Sequence, residues 1–142
     1  MSSFKIFDIA GSGMSAQSVR LNTVASNLAN ADSVSGDPNT VYKARHPVFE
    51  AVKASLAGSG AGGQSPSAAV KINGIVEDTR EGTQRYEPGN PLANADGYVF
   101  APNVNVVEEM VDMISASRAY QNNVEVMNTS KELLLATLRL GQ

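Results

Sequence analysis

Apolar positions recur at alternating steps of three and four at both ends of the chain. In the first stripe these are Phe7, Ala10, Met14, Gln17, Leu21, Val24, Leu28 and Ala31, with Gln17 the one polar member. In the second they are Val106, Met110, Met113, Ser117, Tyr120, Val124, Met127, Lys131, Leu134 and Leu138. A mean period of 3.5 residues keeps one narrow helix face turned toward a partner, which is the seam of a coiled coil. Val107, Val111 and Ile114 widen the apolar face at the start of the second stripe.

The spacing predicts a second helix over about 105–139. At 1.5 Å per residue it is about 50 Å long, more than a compact domain of this size can span, so it is expected to protrude. Asn105 followed by Glu108 resembles a capping box, Glu108 and Glu109 suit the positive helix end, and Gly141 lies just past the other end. The first helix is interrupted by Gly11 and Gly13, each costing about 1 kcal/mol relative to alanine, so residues 14–30 form its firmest part.

Between the helices the pattern changes. Asp32, Ser33, Ser35, Gly36, Asp37, Pro38 and Asn39 cluster as turn formers and end the first helix. Residues 41–53 tolerate a strand, with Pro47 confining it to an edge or splitting it. Residues 57–68 read as a flexible glycine- and serine-rich loop. A strand is predicted over Ala69–Asp78, with Asn73-Gly74 as a bulge or turn. Turn clusters at 87–91 and 94–97 precede a short strand, Tyr98-Val99-Phe100. The expected fold is mainly α with a small β-rich insert, divided into 1–33, 34–102 and 103–142.

Composition narrows the function classes. The chain has 142 residues, no cysteine, no tryptophan and a net charge of −3. Disulfides and thiol chemistry are excluded, and nothing in the charge favours nucleic acid or an anionic membrane. No run suits a bilayer span or a cleaved secretory signal. His46, the only histidine, precedes a proline and has no orienting partner in sequence. Gly11-Ser12-Gly13 lacks the lysine of a phosphate loop, and the acidic residues lack calcium-loop spacing. Asn128-Thr129-Ser130 matches a glycosylation sequon but falls inside a predicted helix. No catalytic, cofactor-binding or metal-ligating residue is expected, and no small-molecule substrate.

Three ordered blocks carry a resemblance. The first runs from Phe7-Asp8-Ile9-Ala10-Gly11-Ser12 through Gln17-Ser18 and Arg20-Leu21-Asn22 to Ala25-Ser26-Asn27-Leu28-Ala29-Asn30-Ala31-Asp32-Ser33. The second is Tyr86-Glu87-Pro88-Gly89-Asn90-Pro91-Leu92-Ala93 with Gly97-Tyr98-Val99. The third comprises Pro102 to Val111, Ser115-Ala116-Ser117-Arg118-Ala119-Tyr120-Gln121 and the closing Leu138-Arg139-Leu140-Gly141-Gln142. Together they resemble bacterial flagellar axial proteins, and among these the proximal rod type, FlgC. Tyr42-Lys43-Ala44-Arg45 with Val48-Phe49 is similar to the early middle region of that family.

The resemblance implies terminal helices paired as an antiparallel coiled coil near the axis of a helical tube, with the β-rich middle lying outward. It implies a structural, non-enzymatic subunit of the basal-body rod that crosses the periplasm and transmits motor torque toward the hook. It also implies export by the flagellar type III apparatus, with other rod subunits and copies of the same chain as partners. Phe7, Met14, Leu21, Val24, Leu28, Met110, Met113, Tyr120, Val124, Met127, Leu134 and Leu138 are the candidate axial-packing residues. Asn27, Asn30 and Arg118 are the candidates for setting helix register, since buried polar groups select partners. A distal rod or hook subunit and a non-flagellar coiled-coil adaptor are the alternative readings.

Overall fold

The computed structural model describes residues 3–53 and 68–140, so the loop expected at 57–68 lies outside the described residues except for Ala68, which opens a strand. The order is α1 (Ser3–Ala29), β1 (Arg45–Lys53), β2 (Ala68–Glu77), β3 (Thr83–Tyr86), β4 (Tyr98–Ala101) and α2 (Val106–Leu140). Two helices of 27 and 35 residues make up nearly half the chain, and two antiparallel ribbons make up the ordered middle.

α1 runs unbroken through both glycines. Tertiary contact, not propensity, decides this: a Cβ at Gly13 would sit 2.9 Å from the Asn123 side chain of α2, whereas one at Gly11 meets nothing within 4 Å. Gly13 is therefore the point of close approach between the two helices. The start of α2 is capped as its sequence suggests, with Asn105 Oδ1 accepting the amides of Val107 (3.1 Å) and Glu108 (3.5 Å). Its last turns carry Leu133, Leu135, Leu138 and Leu140, all exposed.

The helices lie antiparallel. Asn27 meets Glu109, Arg20 meets Asp112 and Gly13 meets Asn123, while Ile6 and Ser130 line one shallow groove, so numbers fall along α1 as they rise along α2. Buried α2 residues Glu109, Ala116 and Ser130 are spaced by seven and fourteen positions, with half-buried Asn123 at the step between the last two. This inward face is small and polar, flanked by half-buried Met113, Met127 and Leu134.

β1 pairs with β2 over its whole length, and register shifts between Val48, opposite Gly74, and Phe49, opposite Ile72. Asn73 is thus the extra residue of a bulge. Pro47 sits opposite Ile75 in a ribbon where both strands are edges, so its missing N–H is tolerated. β3 was not expected: Thr83-Gln84-Arg85-Tyr86 is exposed throughout and has no apolar alternation. It forms because β4 supplies the partner edge, and Tyr86 and Tyr98 meet with ring centroids 5.1 Å apart. Gly97, at φ 81°, closes the connecting turns, where any Cβ would press on Tyr86 and Pro88. Val99 on β4 is fully buried, and Ser35 bridges to Phe100, tying the segment after α1 to this ribbon.

The two glycines separate propensity from packing. Gly11→Ala is expected to raise stability by about 1 kcal/mol. Gly13→Ala should lose that gain because Asn123 must swing aside, and Asn123→Ala should recover it. Thermal unfolding of the parent chain, Gly13→Ala, Asn123→Ala and the double variant forms a double-mutant cycle that reads the coupling directly.

Candidate functional site

The largest convergence of buried polar groups lies where α1, α2 and β1 meet. Asn27 is 0 % exposed. Its Nδ2 donates to the Arg45 carbonyl and to Glu109 Oε1, both at 2.9 Å. Its Oδ1 accepts the Tyr42 hydroxyl at 2.9 Å and the Arg45 amide at 3.0 Å. An amide side chain offers two donors and two acceptor lone pairs, and here all four are used. Asparagine in a helix interior is poorly favoured, so its presence is explained by these partners.

Glu109 completes the junction. It is 6 % exposed, and its Oε2 is buried without a hydrogen-bond partner. Burial pushes its carboxyl above the ordinary value; the Asn27 hydrogen bond and the charge of His46 act the other way, and Asp112 and Glu108 add to the rise. His46 Nε2 lies 3.9 Å from Asp78 Oδ2. Asp78 is also held by the Arg80 guanidinium, whose hydrogen bonds keep its carboxyl below the usual range.

A second amide repeats the device. Asn103, just before α2, accepts the Ala44 amide at 2.7 Å and donates to the Arg80 carbonyl at 2.8 Å. The chain entering β1 and the chain entering α2 are thereby fixed to one another. A cleft of about 460 Å³ opens beside this joint, lined by Tyr42, Lys43, Arg80, Gln84, Phe100 and Asn103. Its Asn103 and Arg80 are already engaged. Among the described residues no group of three acidic or histidine side chains could hold a metal ion, and no helix is long and apolar enough to cross a membrane.

The candidate packing residues divide. On α1, Val24 is buried and Phe7, Met14, Leu21 and Leu28 are half-buried. On α2, Met113, Val124, Met127 and Leu134 are half-buried, while Met110, Tyr120 and Leu138 are exposed. Among the register candidates, Asn27 joins three elements. Asn30 donates to Ser26 O within its own helix at 2.8 Å, and Arg118 is exposed. Glu109, Asn103 and Tyr42 were not singled out in sequence. Glu109 lay in the third family block and was assigned to the positive helix end, and neither reading marked its side chain as buried.

The two helices are also where known proteins match. The model of the flagella basal body rod protein family covers residues 7–36, and that of the C-terminal region of flagellar basal body rod FlgEFG proteins covers 95–140. The flagellar basal-body rod protein FlgC of Escherichia coli O157:H7 is 53 % identical over 142 residues, the whole of both chains. Those of Salmonella typhimurium and of Buchnera aphidicola from Baizongia pistaciae are 52 % and 35 % identical, again over the full length of both. The chain belongs to the FlgC family of flagellar basal-body rod proteins. Members of this family are structural rod proteins and not enzymes, in keeping with a site made of satisfied amides and helix faces.

Removing the Asn27 side chain strands the Arg45 amide and carbonyl and Glu109 together, while the Tyr42 hydroxyl keeps Ser26 Oγ at 3.3 Å. At about 1–3 kcal/mol for each buried group left unpaired, Asn27→Ala should cost at least 3 kcal/mol, whereas Asn30→Ala should cost under about 1 kcal/mol. Chemical denaturation of both purified variants measures the difference.

The Glu109 carboxyl gives a pH dependence. Its folded pKa is raised, so the stability it contributes is fully present below the ordinary value of 4.5 and is lost as pH rises through the folded value. Glu109→Gln keeps the acceptor for Asn27 and cannot ionise. Its melting temperature should lack the decline that the parent chain shows on going upward from pH 4.5.

Proposed function

We propose that this chain is a subunit of the proximal part of the flagellar rod. In this reading α1 and α2 act as an antiparallel coiled coil near the axis of a helical tube, with the β ribbons outward, and the tube carries motor torque across the periplasm to the hook. The observation that carries it is the helix pair itself. Its two helices coincide with the two segments shared with rod proteins, and its full length corresponds to FlgC relatives.

The energetics support a subunit that works only in company. Val107, Met110, Val111 and Ile114 are each more than half exposed. Burying a side chain of this type yields about 1.5–3 kcal/mol in full, so covering the exposed half of all four yields a few kcal/mol. Association costs about 4 kcal/mol or more, so one such contact does not hold two copies together. Contacts repeated around a tube do.

The same weakness suits passage through a narrow export channel. A seam of alanine, serine and asparagine buries little apolar area against an ordering cost of about 1–2 kcal/mol per residue. The chain can therefore be carried unfolded by the flagellar type III apparatus and gain its final rigidity among neighbouring rod subunits and copies of itself.

An in-frame deletion, with a complemented control, tests this reading by electron microscopy of basal bodies. The expected result is membrane-embedded bases without rod or hook; intact rods and normal swimming would count against it.

A further inference from the structure

The helix pair has two outer faces of different character. Two residues along a helix is a rotation of about 200°, so Ala25 points away from the side on which Asn27 meets α2, and Val111 points away from the side on which Glu109 meets α1. On the outer face of α2, Val107, Met110, Val111 and Ile114 form an exposed apolar patch that no other described residue covers. On the outer face of α1, Asn22, Ala25 and Ala29 are exposed and small.

These two regions lie at one height. The contacts of Asn27 with Glu109 and of Gly13 with Asn123 set the levels, placing Ala25 level with Val111, Ala29 with Val107 and Asn22 with Ile114. Farther along, both outer faces turn polar together. Arg118 and Gln121 on α2 stand at the levels of Ser18 and Ser15 on α1, and all four are exposed. Large apolar side chains and small ones thus share a level, as do polar and polar.

We propose that the apolar patch of α2 docks on the Asn22–Ala29 face of α1 in a second copy of this chain standing side by side with the first. The inference rests on the rod reading and goes beyond it by naming which face meets which. Because the two surfaces are different and point in opposite directions, the contact is heterologous. Each copy leaves one surface of each kind free for the next, and such a contact propagates around a wall instead of closing a dimer. The described strands of the β1–β2 ribbon do not obstruct it: the ribbon approaches α1 through Ser12, whose Oγ accepts the Val70 amide at 3.2 Å, about 140° around from the Ala25 side.

The absence of cysteine makes the contact readable by cross-linking. The double variant Ala25→Cys/Val111→Cys is expressed as the full chain, and isolated basal bodies are oxidised. Intrachain bridging is excluded because the two residues lie on opposite sides of the pair, beyond the roughly 7 Å limit for a disulfide. The expected product is a ladder extending past the dimer in multiples of the chain mass. Ser15→Cys/Val111→Cys, displaced by about 15 Å along the axis, should stay monomeric.

Rods that contain the double variant but yield no 25–111 adduct would overturn the contact. So would efficient dimers from Val111→Cys alone, or adducts with a protein of another mass. If the double-cysteine chain does not enter rods, charges replace the thiols. Val111→Asp and Ala25→Lys should each abolish swimming and together restore it; normal swimming of both singles, or no restoration, would overturn the proposal. Absence of the parent chain from purified rods would instead sink the rod reading itself.

Discussion

A single amide side chain sets how the helices and the middle segment sit on one another. Asn27 bonds to the backbone of Arg45 where β1 begins, to the hydroxyl of Tyr42 and to Glu109 on α2. Shift α1 by one residue and all four hydrogen bonds are lost together. The apolar positions of α1 impose no such condition, since alanine and valine pack almost as well one step along. Directionality resides in the hydrogen bonds, and burial makes breaking them costly.

Close approach follows from small residues. Gly13 against Asn123, with Ala16 and Ala116 buried nearby in sequence, lets the two backbones come together without large side chains between them. The larger apolar groups are displaced to the flanks and the outer side. This division leaves a chain whose interior is modest and whose exterior is unusually apolar for a subunit seen alone, with valines, leucines, isoleucines and a methionine in the open.

How much of this was legible in the sequence depends on which signal each part carries. The existence and start of α2 were written plainly, in Asn105 and in the apolar period. The rotation of α2 was not. Its apolar stripe includes Met113, Met127 and Leu134, which flank the contact, but the innermost positions are Glu109, Ala116 and Ser130, which hydropathy does not mark. Gly11 and Gly13 look alike in sequence, and only Asn123 across the seam distinguishes them. β3 has no apolar alternation, so its pairing depends wholly on a partner. The family blocks located Asn27, while its partners Tyr42 and Glu109 lie 15 and 82 positions away and belong to no common local motif.

Among the described residues, side-chain hydrogen bonds between the helices occur at Asn27 with Glu109 and at Arg20 with Asp112, both in the half nearest the β ribbons. Toward the start of α1 the seam is held by contact alone. The pair therefore behaves as a cantilever, clamped at its root and free to slide by small amounts toward its tip. Displacement of the β1–β2 ribbon enters the pair at this root, where the bonds of Asn27 to the Arg45 backbone resist it. The tip half can adjust its register along α2 without breaking a side-chain hydrogen bond between the helices, Ser12 with the Val70 amide being its tie to β2, giving one molecule both a stiff end and a compliant one.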